Sequence, residues 1–360
     1  MRPRVLFVGR TRYRLPLPDS IARKWDALSE RMEVRVLASG SGRDPRFHLI
    51  APRHLDGPRF YASLPFEVGR ELKTFRPDVI VAESPYEGVA AELARRRQRS
   101  HAKLVVEVHG DWHVATRLYG SRLRATLAPL GDRAADWAVR SADAHRAVSD
   151  FTVSLVRTTG REPTGVFTTY SDLGAFTGPV VPLPDEPRVL FIGVLERYKN
   201  VEVLAAAWRI LASRIPEARL HLVGMGTQIG VAEALAREGA RWDRRLEPSV
   251  LATALDASRA LLLPSASEGL PRVAIESFLR GRAVVGARAG GIPDIVEHER
   301  NGLLVAPGSA RELAEAIERI LREPGLAERL GAGAHASSAR WVSTPNEFAD
   351  RVLAVVQSVL

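Results

Sequence analysis

Short apolar runs alternate with longer segments of helical periodicity along the chain. The runs predict strands over 4–9, 33–37, 78–82, 104–108, 145–148, 188–192, 220–223, 261–263, 283–286 and 303–305. Apolar residues at helical spacing predict helices over 19–30, 66–74, 87–97, 200–213, 229–238, 309–323, 326–340 and 347–360, and one that starts at Pro271. Such alternation is typical of a mostly parallel sheet that helices cover on both faces.

Polar and proline-rich stretches interrupt this pattern. Residues 10–18 and 41–60 are predicted to be loops, and residues 179–187 read PVVPLPDEP, which is typical of a linker. A chain of 360 residues favours two domains. We therefore predict an α/β protein with two Rossmann-like, doubly wound domains over residues 1–180 and 181–345, followed by a helix over 346–360.

Composition narrows the class of protein. The apolar content of 46% and charged content of 26% are those of a soluble globular protein. The absence of cysteine excludes disulfides, zinc–thiolate sites and thiol nucleophiles. A net charge of +9 is compatible with phosphate, anionic lipid or nucleic acid and does not choose among them. No apolar run reaches the length of a signal peptide core or a membrane span, so a cytoplasmic location is predicted.

Candidate chemistry concentrates after the strand over 261–263. A loop of small residues leads to Glu268 and a glycine, and the predicted helix starts at Pro271. Free backbone N–H groups at a helix start beside a glycine are typical of phosphate-binding sites. Glu276 lies eight positions after Glu268, inside the helix. Two glutamates at this spacing, taken alone, usually form only a solvated helix face.

The wider segment resembles the carboxy-terminal signature of retaining glycosyltransferases of the two-Rossmann-domain (GT-B) type, most closely glycosyltransferase family 4. The shared motifs are the glutamate pair in EGLPRVAIES, the turn GGIPD over 290–294, and NGLLV over 301–305. The resemblance implies that two domains face each other across a cleft. The first domain would bind the acceptor and the second a nucleotide-diphosphate sugar, and the last helix would cross back to the first domain.

The resemblance also assigns roles to residues of this segment. Glu276 would bind the ribose hydroxyls, and Glu268 would meet hydroxyls of the donor sugar near the reacting carbon. Gly269 and Leu270 would line the diphosphate through backbone N–H groups. Pro271 has no N–H and can only shape the turn.

A second motif lies after the strand over 188–192. The run GVLERYKN resembles the family's Gly-Arg-Leu-x-x-x-Lys-[GN], in which Gly193 and the lysine Lys199 contact the donor. Val194 stands where the family has an arginine, so one of two cations expected at the diphosphate is missing. Arg197 is the candidate to replace it. The alternative for Lys199 is an ordinary surface lysine.

The first half contributes His109, in VHGDW, which resembles the histidine that approaches the donor sugar. An isolated histidine is otherwise typical of a structural role. Gly9, at the end of the first strand, completes the predicted donor-binding set. His113 follows four residues after His109, but no Asp-x-Asp motif accompanies it. We therefore expect no metal and no cofactor besides the donor substrate.

The implied function is metal-independent glycosyl transfer, with retention through same-face attack, from a nucleotide-diphosphate sugar to a hydroxyl acceptor (a glycan, a lipid-linked molecule or a small molecule). Two alternatives stay open. One is a non-catalytic or partner-dependent subunit. Three departures from the family's pattern favour it: Val194, Tyr170 in place of the glycine of the family's Asn-Gly-Val-Asp, and Arg244 in place of a usual glycine in the loop expected near the base. The other is a sugar-nucleotide epimerase or phosphorylase of the same fold. Neither the base nor the sugar follows from the sequence.

Basic and aromatic residues between Trp112 and Arg140 suggest one or two amphipathic helices. They could seat a lipid-linked acceptor and bring the protein into peripheral contact with an anionic membrane, at its inner face. The alternative is that the apolar residues belong to the core and the arginines are solvated. Nucleic acid is not an expected partner, because it would explain the charge and none of the motifs.

Overall fold

The structure, a computed structural model, describes residues 2–52, 56–118 and 122–360, without the side chains of residues 56, 115, 116, 118 and 122–127. The chain divides into two compact units. The first unit comprises Met1–His113, Thr126–Asp172 and Ser343–Leu360, and the second Val114–Ala125 and Leu173–Val342.

The first unit contains a parallel sheet of seven strands in the order β3-β2-β1-β4-β5-β6-β7. The strands are β1 Arg4–Arg14, β2 Glu33–Ser41, β3 Phe47–Ile50, β4 Val79–Ala82, β5 Lys103–Val108, β6 Ala144–Ala147 and β7 Gly165–Val166. The helices that connect them along the chain are α1 Asp19–Arg31, α2 Asp56–Thr74, α3 Pro85–Gln98, α4 Trp112–Leu118, α5 Arg122–Ser141 and α6 Asp150–Thr158. Most of α4 and the first residues of α5 fall within Val114–Ala125, which belongs to the second unit. A 3₁₀ turn, Gly174–Phe176, follows in the next unit.

The second unit contains a parallel sheet of six strands in the order β10-β9-β8-β11-β12-β13. The strands are β8 Arg188–Ile192, β9 Arg219–Val223, β10 Arg241–Asp243, β11 Ala260–Leu263, β12 Ala283–Ala287 and β13 Gly302–Val305. Its helices are α7 Val201–Arg214, α8 Ile229–Arg237, α9 Pro248–Asp256, α10 Arg272–Leu279, α11 Ile292–Ile295, α12 Ala310–Arg322 and α13 Leu326–Ser338.

The last helix, α14 Pro345–Gln357, belongs to the first unit. Thr344 caps its start, because its hydroxyl accepts the N–H of Glu347. The helix packs on α1, where Arg31 Nε lies 2.5 Å from Asp350. Phe348 of α14 is buried in the core of the unit. The end of the chain therefore helps to build the domain in which the chain begins.

Both sheets follow from the same sequence pattern. Strands such as β4 (VIVA) and β11 (ALLL) are apolar and buried along their whole length, as expected of parallel strands covered on both faces. In each sheet the strand order reverses once, between β1 and β4 in the first and between β8 and β11 in the second. Ligands of such sheets bind outside the carboxyl ends of the strands at this reversal.

The predicted fold class is confirmed, and the corrections concern edges and loops. Residues 10–14 are not a loop, because β1 continues to Arg14 beyond an irregularity in its pairing with β2. The predicted loop over 41–60 contains the edge strand β3 and the start of α2. That helix begins ten residues earlier than predicted and contains Pro65. Among the described residues, no helix is both long enough and apolar enough to cross a membrane.

Candidate functional site

A buried ion pair lies at the strand reversal of the second sheet. Lys199 ends a 3₁₀ turn after β8, and Glu268 lies in the loop after β11. Lys199 Nζ lies 2.5 Å from Glu268 Oε1, and the two side chains are only 9% and 12% exposed. Because β8 and β11 are parallel neighbours, their carboxyl ends bring these two loops together. The structure thus joins two residues that are 69 positions apart in the sequence.

Backbone contacts hold the two loops in register. Asn200 adopts a left-handed conformation with φ of 51°, which asparagine tolerates better than most residues. Its side-chain Nδ2 donates to the Pro264 carbonyl over 3.0 Å, and the Ala266 N–H donates to the Tyr198 carbonyl over 2.7 Å. The asparagine that follows Lys199 in the motif therefore has a structural role. It ends the turn, and its side chain bonds the turn to the neighbouring loop.

The glycine turn of the GGIPD motif supports Glu268 from the other side. The Gly291 N–H donates to the Glu268 carbonyl over 2.8 Å. Gly290 has φ of 56°, and a Cβ atom there would overlap the backbone of Glu268. Only glycine allows this close approach without strain. The motif therefore acts as a brace for the Glu268 loop.

Glu276 is buried on α10, with 3% of its surface exposed. One carboxylate oxygen lies 3.0 Å from Arg272 Nε, while Oε2 is buried and has no hydrogen-bond partner among the residues that the structure describes. Burial raises the pKa of Glu276 above its ordinary value, and the nearby Arg272 offsets this only in part. An unsatisfied buried carboxylate oxygen is costly, so a ligand that donates hydroxyl hydrogen bonds would be favoured here.

The other predicted donor-binding residues of this unit surround the same loops. Gly269 and Leu270 are partly exposed, and Pro271 directly precedes α10. Gly193 lies after β8, where an added Cβ would be 3.4 Å from Lys199 Cε, so it is a direct neighbour of the lysine side chain.

Arg197 follows Glu196 at the start of the 3₁₀ turn that Lys199 ends. Its Nη2 atom donates to the Arg117 carbonyl over 3.1 Å. Val194, where the resemblance expects an arginine, is 45% exposed. Lys199 contacts Glu268, and the replacement role of Arg197 at the diphosphate stays a prediction.

In the first unit, His109 lies just after β5 with its side chain 37% exposed. Its Nε2 lies 2.9 Å from Glu107 Oε2, and Glu107 in turn pairs with Arg146. Gly9, within β1, lies against Glu83, because a Cβ atom at Gly9 would overlap that carboxylate. Glu83 Oε2 accepts from Thr11 Oγ1 over 3.1 Å.

Three charged residues of this region were not predicted from the sequence: Glu83, Glu107 and Arg146. Glu83 follows β4 directly, so the rule on strand ends could have singled it out. Glu107 and Arg146 occupy directly paired positions of β5 and β6. An acidic and a basic residue inside two consecutive apolar strands were the available signal, because each must find a partner when buried.

His113 lies 2.9 Å from Asp136 through its Nε2 atom. No cluster of three or more residues suited to a metal ion occurs in the part of the chain that the structure describes. The predicted membrane-binding segment lies partly outside the described residues, since residues 119–121 and the side chains around them are not described. Contact with an anionic membrane therefore stays a prediction.

Two family models match the chain, one for each half. Residues 19–169 match the model described as glycosyl transferase 4-like domain, and residues 186–323 match the model described as glycosyl transferases group 1. The sequence is similar to a D-inositol 3-phosphate glycosyltransferase of Streptomyces griseus, with 33% identity over 185 residues. That match covers 47% of this chain and 39% of the relative, so the chain spans well under half of the curated relatives it matches.

Solved structures of similar fold cover nearly the whole chain. Sucrose-phosphate synthase from Thermosynechococcus elongatus is 21% identical, with a TM-score of 0.79 and 99% of both chains covered. Alr3699/HepE from Anabaena, in complex with UDP-glucose, is 18% identical, with a TM-score of 0.70, and covers 98% of this chain and 99% of its own. At these identities the likeness establishes the fold.

Replacing Gly290 by alanine is expected to loosen the Glu268 loop. The new Cβ must displace the Glu268 backbone and strain the left-handed turn, so the hydrogen bond from Gly291 weakens. Hydrogen-exchange mass spectrometry should show faster exchange in peptides that cover residues 264–271 and 288–292. Gly308→Ala is the matched control, because Gly308 has φ of 78° with nothing near its Cβ position. Equal exchange in both variants would contradict the bracing role.

The raised pKa of Glu276 predicts a characteristic pH dependence. The folded protein binds this proton more tightly than the unfolded chain, whose ordinary value is 4.5. The free energy of unfolding of the wild type, relative to Glu276→Gln, should therefore fall as pH rises from 4.5 through the raised pKa, and then stay constant. Urea unfolding of both proteins at several pH values measures this difference.

Glu299→Gln provides the opposite control. The hydrogen bond from Arg319 lowers the pKa of Glu299, so this glutamate stabilises the fold above 4.5 and loses that effect as pH falls. The wild type should thus gain stability relative to Glu299→Gln as pH rises. A pH-independent difference for Glu276→Gln would show that Glu276 is not buried as described.

Proposed function

Because the chain belongs to the glycosyltransferases of family 4 type with the GT-B fold, we propose that it transfers a sugar from a nucleotide-diphosphate sugar to a hydroxyl acceptor with retention at the anomeric carbon. The observation that carries this proposal is the Lys199–Glu268 pair at the strand reversal, together with the unsatisfied carboxylate oxygen of Glu276 on the helix that follows the Glu268 loop. A nucleotide-sugar supplies partners for all three groups: phosphates for the lysine and hydroxyls for the two carboxylates.

The proposed binding mode assigns one part of the donor to each residue. The ribose hydroxyls donate to Glu276, whose Oε2 has no other hydrogen-bond partner among the described residues. The backbone N–H groups of Gly269 and Leu270, near the start of α10, bind the diphosphate. Glu268 accepts from hydroxyls of the sugar. The solved Anabaena protein, which holds UDP-glucose, supports a nucleotide-sugar as donor.

The proposed reaction depends on stabilising the departing diphosphate. Glu268 holds the Lys199 ammonium group beside the loop that precedes α10. From there the ammonium group can contact the phosphate and stabilise the negative charge that develops as the bond to the sugar breaks. The departing phosphate oxygen takes the proton of the attacking hydroxyl on the same face of the sugar, which gives retention. His109 is the residue that we propose the first unit contributes to the sugar. No metal ion enters this scheme.

The acceptor is proposed only as a hydroxyl compound. Curated relatives include D-inositol 3-phosphate glycosyltransferases and a sulfoquinovosyl transferase of Arabidopsis thaliana, so the names of similar proteins do not point to one substrate.

Removing either member of the ion pair is expected to abolish most turnover. A thermal-shift panel of nucleoside diphosphates and their sugars first identifies the donor, since a ligand of the native state raises the melting temperature. With that donor, Lys199→Ala and Glu268→Ala should each lower kcat by roughly 10²–10³-fold, the usual loss when a group that stabilises developing charge is removed. Release of the nucleoside diphosphate, with and without EDTA, measures turnover.

Two controls separate chemistry from folding. Each single variant leaves one buried charge unpaired, which costs roughly 3–5 kcal/mol. The double variant Lys199→Met/Glu268→Leu removes both charges and should fold with near-normal stability while staying inactive. Lys103→Ala, at a half-exposed lysine of the first unit, should keep full turnover. Near-normal turnover in a folded Glu268→Ala protein would contradict the proposal, and turnover by the protein alone argues against a partner-dependent subunit.

A further inference from the structure

The first unit contains a closed network of four polar residues, one of which is His109. Glu107 of β5 and Arg146 of β6 are direct partners in the strand pairing. Arg146 Nη1 lies 2.7 Å from Glu107 Oε1, and Glu107 Oε2 lies 2.9 Å from His109 Nε2. Thr169 Oγ1 lies 3.4 Å from His109 Nδ1 and accepts from Arg146 Nη2 over 2.9 Å. Each residue thus contacts the next, and the last returns to Arg146.

Arg146 is the most tightly packed residue of this network. It is 2% exposed, and its guanidinium stacks on Phe167 at 4.5 Å and on Phe348 of α14 at 5.3 Å. Its Nη2 atom also donates to the Phe167 carbonyl over 3.2 Å. The void beside Arg146 and Glu107 measures about 10 Å³, which is no more than the space of one water molecule. The helix at the end of the chain therefore seals the guanidinium into place.

This arrangement keeps Glu107 ionised although it is 7% exposed. Burial alone would raise the pKa of Glu107, but the Arg146 guanidinium and the hydrogen bond from His109 outweigh burial and lower the pKa far below its ordinary value. An ionised carboxylate can only accept hydrogen bonds. The proton between Glu107 and His109 therefore belongs to the ring nitrogen Nε2.

The other ring nitrogen follows from this assignment. In the neutral imidazole, Nδ1 carries the lone pair when Nε2 carries the proton. Thr169 uses a lone pair for Arg146 and can direct its hydroxyl hydrogen to Nδ1. At 3.4 Å that contact is long for a hydrogen bond to a hydroxyl, so a substrate hydroxyl can replace it.

We propose that Glu107, fixed by Arg146, is a positioning residue that holds His109 as the Nε2–H tautomer, so that Nδ1 accepts a hydrogen bond from a substrate hydroxyl. This inference rests on the proposed function for the role of His109 in the reaction. The tautomer itself follows from the contacts of Glu107 with Arg146 and His109 and does not depend on the proposed function. A buried Glu–Arg pair with only a structural role would not need to fix the tautomer of a histidine two residues away.

The tautomer can be measured directly by nitrogen NMR. Protein labelled with ¹⁵N-histidine gives separate Nδ1 and Nε2 signals for its nine histidines, and the His109 signals are those lost in His109→Gln. We expect the wild-type ring to be protonated at Nε2. A wild-type ring protonated at Nδ1 would overturn the inference, whether or not the protein shows turnover. This outcome is therefore independent of the proposed function.

Glu107→Gln tests the positioning role. The amide can donate to the ring, so the tautomer should shift towards Nδ1–H. The value of kcat should fall roughly ten- to hundredfold, the loss typical when a group that orients a functional histidine is replaced. The KM for the donor should change by less than about twofold, because on the proposed function the donor binds through the second unit. An unchanged tautomer or an unchanged kcat would contradict the role.

A matched control and a second variant keep this test decisive. Glu92 is also buried in the first unit, at 2% exposure, and pairs with Arg95 and Arg96. Glu92→Gln should lower stability but change neither the His109 tautomer nor kcat. If Glu107→Gln does not fold, Glu107→Leu/Arg146→Met removes both charges with little change of volume. In that protein Nε2 loses its fixed acceptor, so the Nε2 signal of His109 should shift and kcat should fall as in Glu107→Gln. A wild-type Nε2 signal together with a wild-type kcat would overturn the inference.

Discussion

In the second unit, the strand order and the loop hydrogen bonds together position the contact between Lys199 and Glu268. Parallel β8 and β11 end side by side, and the loops that leave them are tied together by the Asn200 side chain and by backbone hydrogen bonds. Gly290 lies against the backbone of Glu268, and the Gly291 N–H donates to the Glu268 carbonyl, so both glycines support the same loop. A buried ion pair contributes little net stability, because desolvation cancels much of the attraction. The many contacts that hold the Lys199–Glu268 pair in place are thus better explained by a ligand that binds there than by a contribution to stability.

The first unit shows a related arrangement with different residues. Here too the polar groups lie at the carboxyl ends of parallel strands: Glu83 after β4, and Glu107 with His109 at the end of β5. Burial separates their tasks. Glu107 is enclosed with Arg146 and cannot meet a ligand, whereas His109 is partly exposed and can. The helix α14 contributes Phe348 to this enclosure, so the end of the chain stabilises the surroundings of the proposed functional histidine.

The sequence predicted the central strands and the fold class because buried parallel strands are apolar along their whole length, which leaves a clear signal. It failed at the sheet edges. β3 reads FHLI with only its first residue fully buried, and β10 has three residues, so neither shows the pattern of a central strand. The start of α2 was missed because Pro58 and Pro65 are typical of loops, although the helix accommodates both.

The candidate site was predictable where a motif marks it and hidden where only the tertiary structure assembles it. Glu268, Glu276 and Lys199 were singled out by their motifs. That Lys199 contacts Glu268 could not be predicted, since 69 positions separate them and only the adjacency of β8 and β11 brings them together. The pairing of Glu107 with Arg146 was hidden for the same reason, because it depends on the register of β5 against β6.

A crystal structure of the protein with its nucleoside diphosphate bound tests the central claim most directly. The account predicts that the Glu276 carboxylate accepts hydrogen bonds from the ribose hydroxyls and that Lys199 Nζ lies within hydrogen-bond distance of a phosphate oxygen. A nucleotide bound elsewhere, with Glu276 still buried against Arg272 and the Lys199–Glu268 pair unchanged, would contradict it.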